Sequence, residues 1–110
     1  MRQITTDAIK AFMSHTAFNR DNTSVIVIPE STEDCFFTEL AIFGNPIARR
    51  YSAGDFGIMT ITNAGFKTAT TKERLNGLEG VKIHQVAGQW FLNGKRWDGE
   101  WEVVEVGDRK

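Results

Sequence analysis

The first residues of the chain carry apolar side chains at the spacing of an amphipathic helix. The apolar residues on one side of a helical projection are Ala8, Ile9, Phe12 and Met13. The polar residues Lys10 and Ser14 fall on the other side. Thr5 is placed to cap this helix, and Asp7 lies where a negative charge favours the helix dipole. The pattern predicts a helix that begins near Thr5, ends at about His15 and covers a sheet.

Short runs of β-branched and aromatic residues, separated by turn residues, fill the middle of the chain. They predict strands over residues 24–28, 35–43, 47–51 and 57–62, with a polar turn over 19–22 and loops over 30–34 and 52–55. The first two runs are apolar on both faces, which is typical of strands that are covered on both sides. We therefore expect these two strands at the centre of a sheet.

A second, shorter helix is predicted where Thr70 precedes Glu73 by three residues, which is the spacing of a capping box. This helix extends to Leu75 and ends at an Asn-Gly pair, a favourable C-terminal cap. Leu75 would hold the helix against the sheet, and Lys72 and Arg74 would face solvent.

Residues 80–106 have the pattern of a tight antiparallel meander. Its turns are expected at Ala87-Gly88, Asn93-Gly94 and Asp98-Gly99. Asn-Gly and Asp-Gly are strong hairpin signals because a type I′ turn needs positive φ at both central residues. All three tryptophans of the chain lie in this segment. Trp90 and Trp101 are expected to anchor the core.

Together these elements predict an α+β protein with one domain spanning residues 1–110. An antiparallel sheet of about six or seven strands, curled into a partial barrel or sandwich, would pack against an N-terminal helix and one short helix. A chain of this size is modestly stable alone, so a homo-oligomer is also compatible with the sequence.

Composition narrows the class of partner. The chain has 110 residues and a formal net charge of -1, so no field of the whole protein attracts nucleic acid or anionic membrane. One cysteine and two histidines leave no zinc quartet and no disulfide framework, and neither a metal nor a cofactor is predicted. The absence of a long apolar run predicts no membrane association, and we expect a cytoplasmic protein.

Residues that could support catalysis are few. Cys35 has acidic neighbours that disfavour a thiolate, and it begins an apolar strand. Asp98, Glu100 and Glu102 alternate as on the solvent face of a strand, although paired carboxylates also serve glycoside hydrolysis. His84 is placed as an exposed or hydrogen-bonded residue. No phosphate-binding, dinucleotide-binding or metalloprotease motif is present, so the sequence predicts a protein that is not an enzyme.

The strongest positive signal is a set of cations interleaved with aromatic residues. The predicted binding residues are Arg49, Arg50, Tyr51, Phe66, Lys67, Lys72, Arg74, Lys95, Arg96 and Trp97. Such a composition is typical of protein interfaces, and equally of surfaces that hold single-stranded nucleic acid. An anion-binding helix start, suited to a nucleotide phosphate, would instead use Thr70, Thr71, Lys72 and Arg74. The same residues could also be ordinary solvated charges around a covered sheet.

Several segments in fixed order resemble a group of small, uncharacterised proteins encoded by tailed bacteriophages. The segments are GNPIARR (residues 44–50), ITNAG (61–65), TTKERLNGL (70–78) and WFLNGKRWDGEW (90–101), together with the N-terminal DAIKAFMSHTAFNRDNTSV. In that group an aromatic residue, often tryptophan, follows Asn-Ala-Gly, and here that residue is Phe66. The resemblance covers nearly the whole chain and brings no catalytic residues with it.

The resemblance implies a phage context, in which small proteins without enzyme motifs commonly act by stoichiometric binding. We therefore expect a non-enzymatic accessory protein that binds a host protein in the host cytoplasm, for host takeover or defence antagonism. Binding of single-stranded nucleic acid is the first alternative. Binding of a nucleotide or another phosphate ligand is the second.

Overall fold

A computed structural model describes residues 2–29, 36–51 and 58–105. In these residues the chain forms two helices and nine strands. The helices are α1 (Gln3–Met13) and α2 (Ala69–Asn76). The strands are β1 (Phe18–Arg20), β2 (Thr23–Pro29), β3 (Phe36–Ile42), β4 (Asn45–Tyr51), β5 (Ile58–Ile61), β6 (Ile83–Val86), β7 (Gln89–Leu92), β8 (Lys95–Arg96) and β9 (Glu102–Glu105).

The strands form two antiparallel sheets. A large sheet has six strands in the order β1-β2-β3-β4-β5-β9, and a small sheet has three in the order β6-β7-β8. The α+β class with an N-terminal helix and one short helix is confirmed. The expected six or seven strands become nine among the described residues, and they divide between two sheets, neither of which closes.

One face of the large sheet carries the core. Val25, Leu40, Ala48 and Ile61 pair in register across four strands, and each is at most 1% exposed. Phe12 of α1, Leu75 of α2 and Trp90 of the small sheet belong to the same apolar cluster. Both helices and the small sheet therefore cover this side, which we call the covered face. The expected role of Trp90 as a core anchor is confirmed, since it is 2% exposed.

Strand β1 lies in a segment that the sequence predicts as a turn. Phe18 pairs with Val25 and Arg20 pairs with Thr23, so the chain reverses over two residues and forms an edge strand. Asn19 and Arg20 are exposed, and only Phe18 packs against the core. An edge strand with a single packed residue has no alternation from which a sequence pattern could identify it.

The expected meander is only partly correct. Ala87-Gly88 and Asn93-Gly94 have positive φ at both residues and join β6 to β7 and β7 to β8, as predicted. Asp98-Gly99 forms no hairpin, because β9 leaves the small sheet and pairs with β5. The carbonyl oxygen of Gly99 accepts hydrogen bonds from the Thr62 hydroxyl and from the Asn63 N–H at 3.0 Å. These bonds hold the crossover against the end of β5.

Both helices begin earlier than the sequence predicts. Helix α1 starts at Gln3, so Thr5 lies inside it, is fully buried and does not cap it. Helix α2 is capped by Thr68, whose hydroxyl accepts a hydrogen bond from the N–H of Thr71 at 3.2 Å. Thr70 is therefore not the cap. A threonine two residues upstream competes for that role, and the sequence spacing alone does not decide between them.

Candidate binding surface

The cations of the predicted binding set do not share one face. Arg49 and Arg50 are consecutive residues of β4, and successive side chains of a strand point to opposite sides of the sheet. Arg50 pairs with Thr38 and Met59, which are both buried, and so lies on the covered face. Arg49 lies on the opposite side. The two neighbouring arginines therefore cannot contact the same small partner surface.

Arg50 acts within the fold. Its Nη1 donates hydrogen bonds to the carbonyl oxygens of Met13 at 3.1 Å and Phe12 at 3.3 Å, which are acceptors at the end of α1. The same nitrogen lies 3.1 Å from Nε2 of His15. Burial lowers the pKa of Arg50, and it remains a cation at neutral pH. A cationic cap at a helix C-terminus is favoured by the helix dipole.

Arg74 is not on the solvent side of α2 as predicted, since it is fully buried. Its guanidinium donates to the hydroxyl of Thr5 at 2.6 Å and to that of Thr23 at 3.0 Å. It also forms an ion pair with Glu73 at 2.7 Å. Arg74 thus ties α2 to α1 and to β2. Nothing in the spacing of α2 marks this role, because the hydroxyl partners lie far away in sequence.

The residues of the predicted anion site do not converge on one exposed point. Thr71 and Arg74 are buried, and Thr70 is half-buried. The N–H of Thr71 is already bonded to Thr68. Lys72 donates to Oε1 of Gln85 at 2.9 Å, towards the small sheet. The start of α2 is therefore occupied by contacts within the fold.

The remaining predicted residues are dispersed. Trp97, one of the predicted binding residues, is only 6% exposed and offers little surface to a partner. Its Nε1 donates to the carbonyl oxygen of Glu100 at 3.0 Å. Lys95 and Arg96 are exposed on β8 of the small sheet. Phe66 is half-buried and Lys67 is exposed, both between β5 and α2.

The side of the large sheet opposite the core is uncovered by the described elements. We call it the open face, and it consists of Ile26, Phe37, Glu39, Arg49, Tyr51, Thr60, Val103 and the adjoining Trp101. Ile26, Glu39, Arg49, Thr60 and Val103 pair in register as one continuous row across five strands. Residues directly opposite in a sheet point to the same side, so the register itself defines this surface.

An ion pair flanked by aromatic rings occupies the centre of the open face. Nη2 and Nε of Arg49 lie 2.6 and 2.9 Å from Oε2 of Glu39. The guanidinium carbon is 5.2 Å from the ring centre of Phe37 and 5.1 Å from that of Trp101. Glu39 is only 6% exposed, so its charge is compensated locally by Arg49. The centre of the open face therefore carries no formal net charge.

Large apolar and aromatic side chains surround this centre. Ile26 is 45% exposed, Tyr51 52%, Trp101 45% and Val103 60%. Tyr51 is also in contact with Phe37, with ring centres 5.3 Å apart. The prediction of Trp101 as a core anchor is wrong, because this residue precedes β9, is 45% exposed and lies against Arg49 of the open face. The expectation that β2 is covered on both faces is also wrong, because Ile26 of this strand is 45% exposed on the open face.

Sequence reasoning identified Arg49 and Tyr51 in this surface but missed the other members. The missed residues are Ile26, Phe37, Glu39, Thr60, Trp101 and Val103. The apolar residues among them are typical of a second buried face of the sheet. The type of a residue does not show whether its side chain is exposed. The available signal was the polar content of the row: Glu39, Arg49 and Thr60 occupy corresponding positions of three neighbouring strands. Such polar residues are rare on a fully buried face.

A cleft of about 410 Å³ adjoins the open face beside Trp101. Its walls include Asn45, Asn63, Lys67, Asp98 and Glu100. The exposed carboxylates of Asp98 and Glu100 outnumber the one cation, and Oδ1 of Asp98 accepts a hydrogen bond from the N–H of Glu100.

His84 lies elsewhere, stacked on Phe91 with ring centres 5.0 Å apart.

Cys35 and the predicted loops over 30–34 and 52–55 lie outside the described residues. Within the ranges that the structure describes, no group of three or more histidine, cysteine or acidic residues is arranged to hold a metal ion. In the same ranges no helix has the length and apolar character needed to span a membrane.

The fold and the surface define a small α+β protein with a sheet face, apolar and aromatic in composition, that the described elements leave uncovered. The chain belongs to the Kyanoviridae Gp96 protein family, whose model matches residues 1–107. It is therefore a protein of a tailed phage that infects cyanobacteria, and the resemblance to a tailed-phage family is confirmed. No curated protein and no solved structure matches the chain.

Proposed function

We propose that this protein is a non-enzymatic phage accessory protein that binds a host protein stoichiometrically through the open face, in the cytoplasm of the host cell. The observation that carries the proposal is the row of Ile26, Glu39, Arg49 and Val103 with exposed aromatic residues beside it. Phage membership supplies the context of a host cell.

The composition of the open face is that of an interaction surface. Tyrosine, tryptophan and arginine are enriched among the residues that dominate binding energy at protein interfaces. Here Arg49 is held between two rings and by Glu39, so binding would immobilise few additional rotatable bonds. A contiguous exposed apolar surface is also uncommon in a protein that works alone.

Charge favours a protein partner over a polyanion. Arg49 is the only cation among the described residues of the open face, and its charge is compensated by Glu39. Arg50, Arg74 and Lys72 bind other groups of the fold, and Lys95 and Arg96 lie on the small sheet. A partner of the open face would therefore gain mainly from apolar and aromatic contact, with little dependence on salt.

The test is affinity capture from lysate of the cyanobacterial host, followed by binding measurements with the purified partner. Trp101→Ala combined with Tyr51→Ala removes two exposed rings and leaves the Glu39 ion pair in place. We expect binding to weaken by at least about 30-fold, as for truncation of interface hot spots.

A matched control carries Val86→Ala with Arg96→Ala, which changes an exposed apolar residue and a cation on the small sheet. This control should bind like the wild type. Equal loss of binding in both variants, or binding that is unchanged by the aromatic variant, would contradict a role for the open face.

Binding of single-stranded nucleic acid is a second candidate, and one observation favours it. Tyr51 and Trp101 present exposed rings on a sheet surface, and such rings can stack on bases. Fluorescence anisotropy with single-stranded oligonucleotides at low salt tests this function. Binding that weakens steeply with salt and is lost in the aromatic variant would support it over the protein partner.

A further inference from the structure

The hairpin between β3 and β4 ends in an aromatic residue that extends away from the fold. Ile42 pairs with Asn45, so the turn consists of Phe43 and Gly44 alone. Phe43 is 69% exposed, which is the highest exposure among the large hydrophobic residues of the described chain. It belongs neither to the core cluster nor to the open face.

The backbone of this turn disfavours a bulky residue. Phe43 has a φ of 52° and Gly44 a φ of 79°, which is the left-handed geometry of a type I′ turn. Two other two-residue hairpins of the described chain have the same geometry, and they place Ala87 and Asn93 at the position equivalent to Phe43. Asparagine is preferred there, and a phenylalanine accepts local strain. Its side chain is therefore not explained by the needs of the turn.

The turn is nonetheless held firmly. The N–H of Phe43 donates to the carbonyl oxygen of Asn22 at 2.8 Å, which joins this turn to the end of the neighbouring hairpin. Nδ2 of Asn45 donates to the carbonyl oxygen of Phe43 at 3.1 Å. The aromatic side chain is thus presented from a preorganised backbone, which reduces the entropy lost on binding.

The surroundings of Phe43 are polar and carry little charge. A shallow cleft of about 220 Å³ beside it is lined by Asn19, Asp21, Asn22, Thr23 and Ser24, with Phe43 and Gly44. The only charged residue in this lining is the acidic Asp21. A single apolar anchor inside a polar rim is the arrangement of a protein interface. No cation among the described residues lines this cleft, and Arg20, which precedes Asp21 in the chain, is paired with Asp7 at 2.9 Å. Anionic lipid and nucleic acid are therefore disfavoured at this site.

We propose that Phe43 is an anchor that inserts into an apolar pocket of a protein partner. The proposal rests on the hairpin tip and does not require the open face to bind anything. Because β3 and β4 contribute residues to both surfaces, one partner could contact the tip and the open face together.

The first test separates the anchor from the fold. Phe43→Asn places the preferred residue in the type I′ turn and removes the ring. We expect the melting temperature to rise by about 4 °C, because the strain is relieved and little buried surface is lost. A fall in melting temperature would show that the ring serves the fold, and would overturn the proposal.

The second test identifies what covers the ring. The full-length protein with p-benzoylphenylalanine in place of Phe43 is irradiated in host lysate, and the same photoreactive group in place of Val86 is the matched control. We expect one host protein to cross-link from position 43 and not from position 86. Excess wild type should abolish this product, and Phe43→Asn should compete about 30-fold less well.

The outcomes distinguish the two proposed surfaces. Competition by Phe43→Asn equal to that of wild type, a product with a second copy of the chain, or no product at all would each overturn the anchor. The variant with Tyr51→Ala and Trp101→Ala is a further competitor. If this double variant competes like wild type, the partner binds through the hairpin tip alone. The proposed function of the open face is then wrong, while the proposal for Phe43 stands.

Discussion

The two faces of the large sheet are built from the same strands, but one is buried and the other is largely exposed. Val25, Leu40, Ala48 and Ile61 form a buried row on the covered face. The row of the open face lies one residue away from this buried row on each strand. Its large side chains are exposed to solvent around an ion pair. The difference arises from what packs on each side, since both helices and the small sheet lie against the covered face.

Arg49 and Arg50 show this difference at adjacent positions. Arg50 is bound to carbonyl oxygens at the end of α1, and Arg49 is bound to Glu39 between two rings. Identical side chains thus serve a helix terminus on one side and a potential contact surface on the other. The covered face contributes the apolar core, and the open face leaves large side chains in solvent.

The largest expected effect concerns the buried arginine of α2. Arg74→Ala leaves the hydroxyls of Thr5 and Thr23 without the donor that they share, and it breaks the ion pair with Glu73. We expect the free energy of unfolding to fall by about 3 kcal/mol or more, measured by urea denaturation. Lys72→Ala on the same helix is the control and should cost less than about 1 kcal/mol. Equal effects would show that burial of Arg74 is unimportant.

Two isoleucines test the contrast between the faces directly. Ile61→Ala on the covered face removes a fully buried side chain and should cost about 2 to 5 kcal/mol. Ile26→Ala on the open face removes a side chain that is 45% exposed and should cost less than about 1 kcal/mol. Both values come from urea denaturation. Comparable losses would indicate that something covers the open face.

The central ion pair of the open face gives a smaller effect. Arg49→Ala leaves the carboxylate of Glu39, 6% exposed, without its cation, and should cost about 2 kcal/mol. Adding Glu39→Gln to this variant removes the uncompensated charge, so most of that loss should be recovered. A double variant that is less stable than Arg49→Ala alone would argue against charge burial as the cause.

The smallest expected effect is a dependence of stability on pH through His15. Burial, and secondly the charge of Arg50, lower the pKa of His15 below its ordinary value of 6.5. A guanidinium only donates, so Nε2 of His15 accepts from Arg50 and Nδ1 donates to Thr38. The unfolded chain therefore binds the proton more readily than the folded protein does.

The contribution of neutral His15 to the free energy of unfolding should accordingly be fully present above about pH 6.5. It should decline as the pH falls below that value towards the pKa of His15 in the folded protein. His15→Gln should flatten the decline between about pH 5 and 6.5, measured by urea denaturation across this range. The carboxyls of Asp7 and Glu73, whose pKa values are lowered by hydrogen bonds, titrate below this window. An unchanged slope in the variant would exclude His15 as the cause.

Local patterns in the sequence predicted where helices and turns form. They predicted less well what packs against each element. The apolar spacing of residues 8–13 identified α1, and the turn signals at Ala87-Gly88 and Asn93-Gly94 identified the small sheet. These features depend on neighbours within a few residues. Asp98-Gly99 failed as a hairpin because its geometry is set by Thr62 and Asn63, which are distant in sequence.

The candidate site was harder to predict because exposure is a property of the assembled fold. Arg49 and Tyr51 were identified, but Arg74, expected in solvent, and Trp97, expected to bind a partner, are both buried. Trp101 was expected in the core and is instead 45% exposed. A residue's type gives its chemistry, and only the packing of distant elements decides which side of a strand reaches solvent.

The pairing of β9 with β5 also has a consequence for synthesis on the ribosome. Ile61 pairs with Glu102, so β5 is translated long before its partner strand. Until β9 emerges, the nascent chain exposes the backbone donors and acceptors along that edge of β5. The strands of the small sheet, joined by two-residue turns, can pair as soon as they are made. Completion of the large sheet must therefore wait for β9, and until then an unpaired strand edge is open to incorrect pairing.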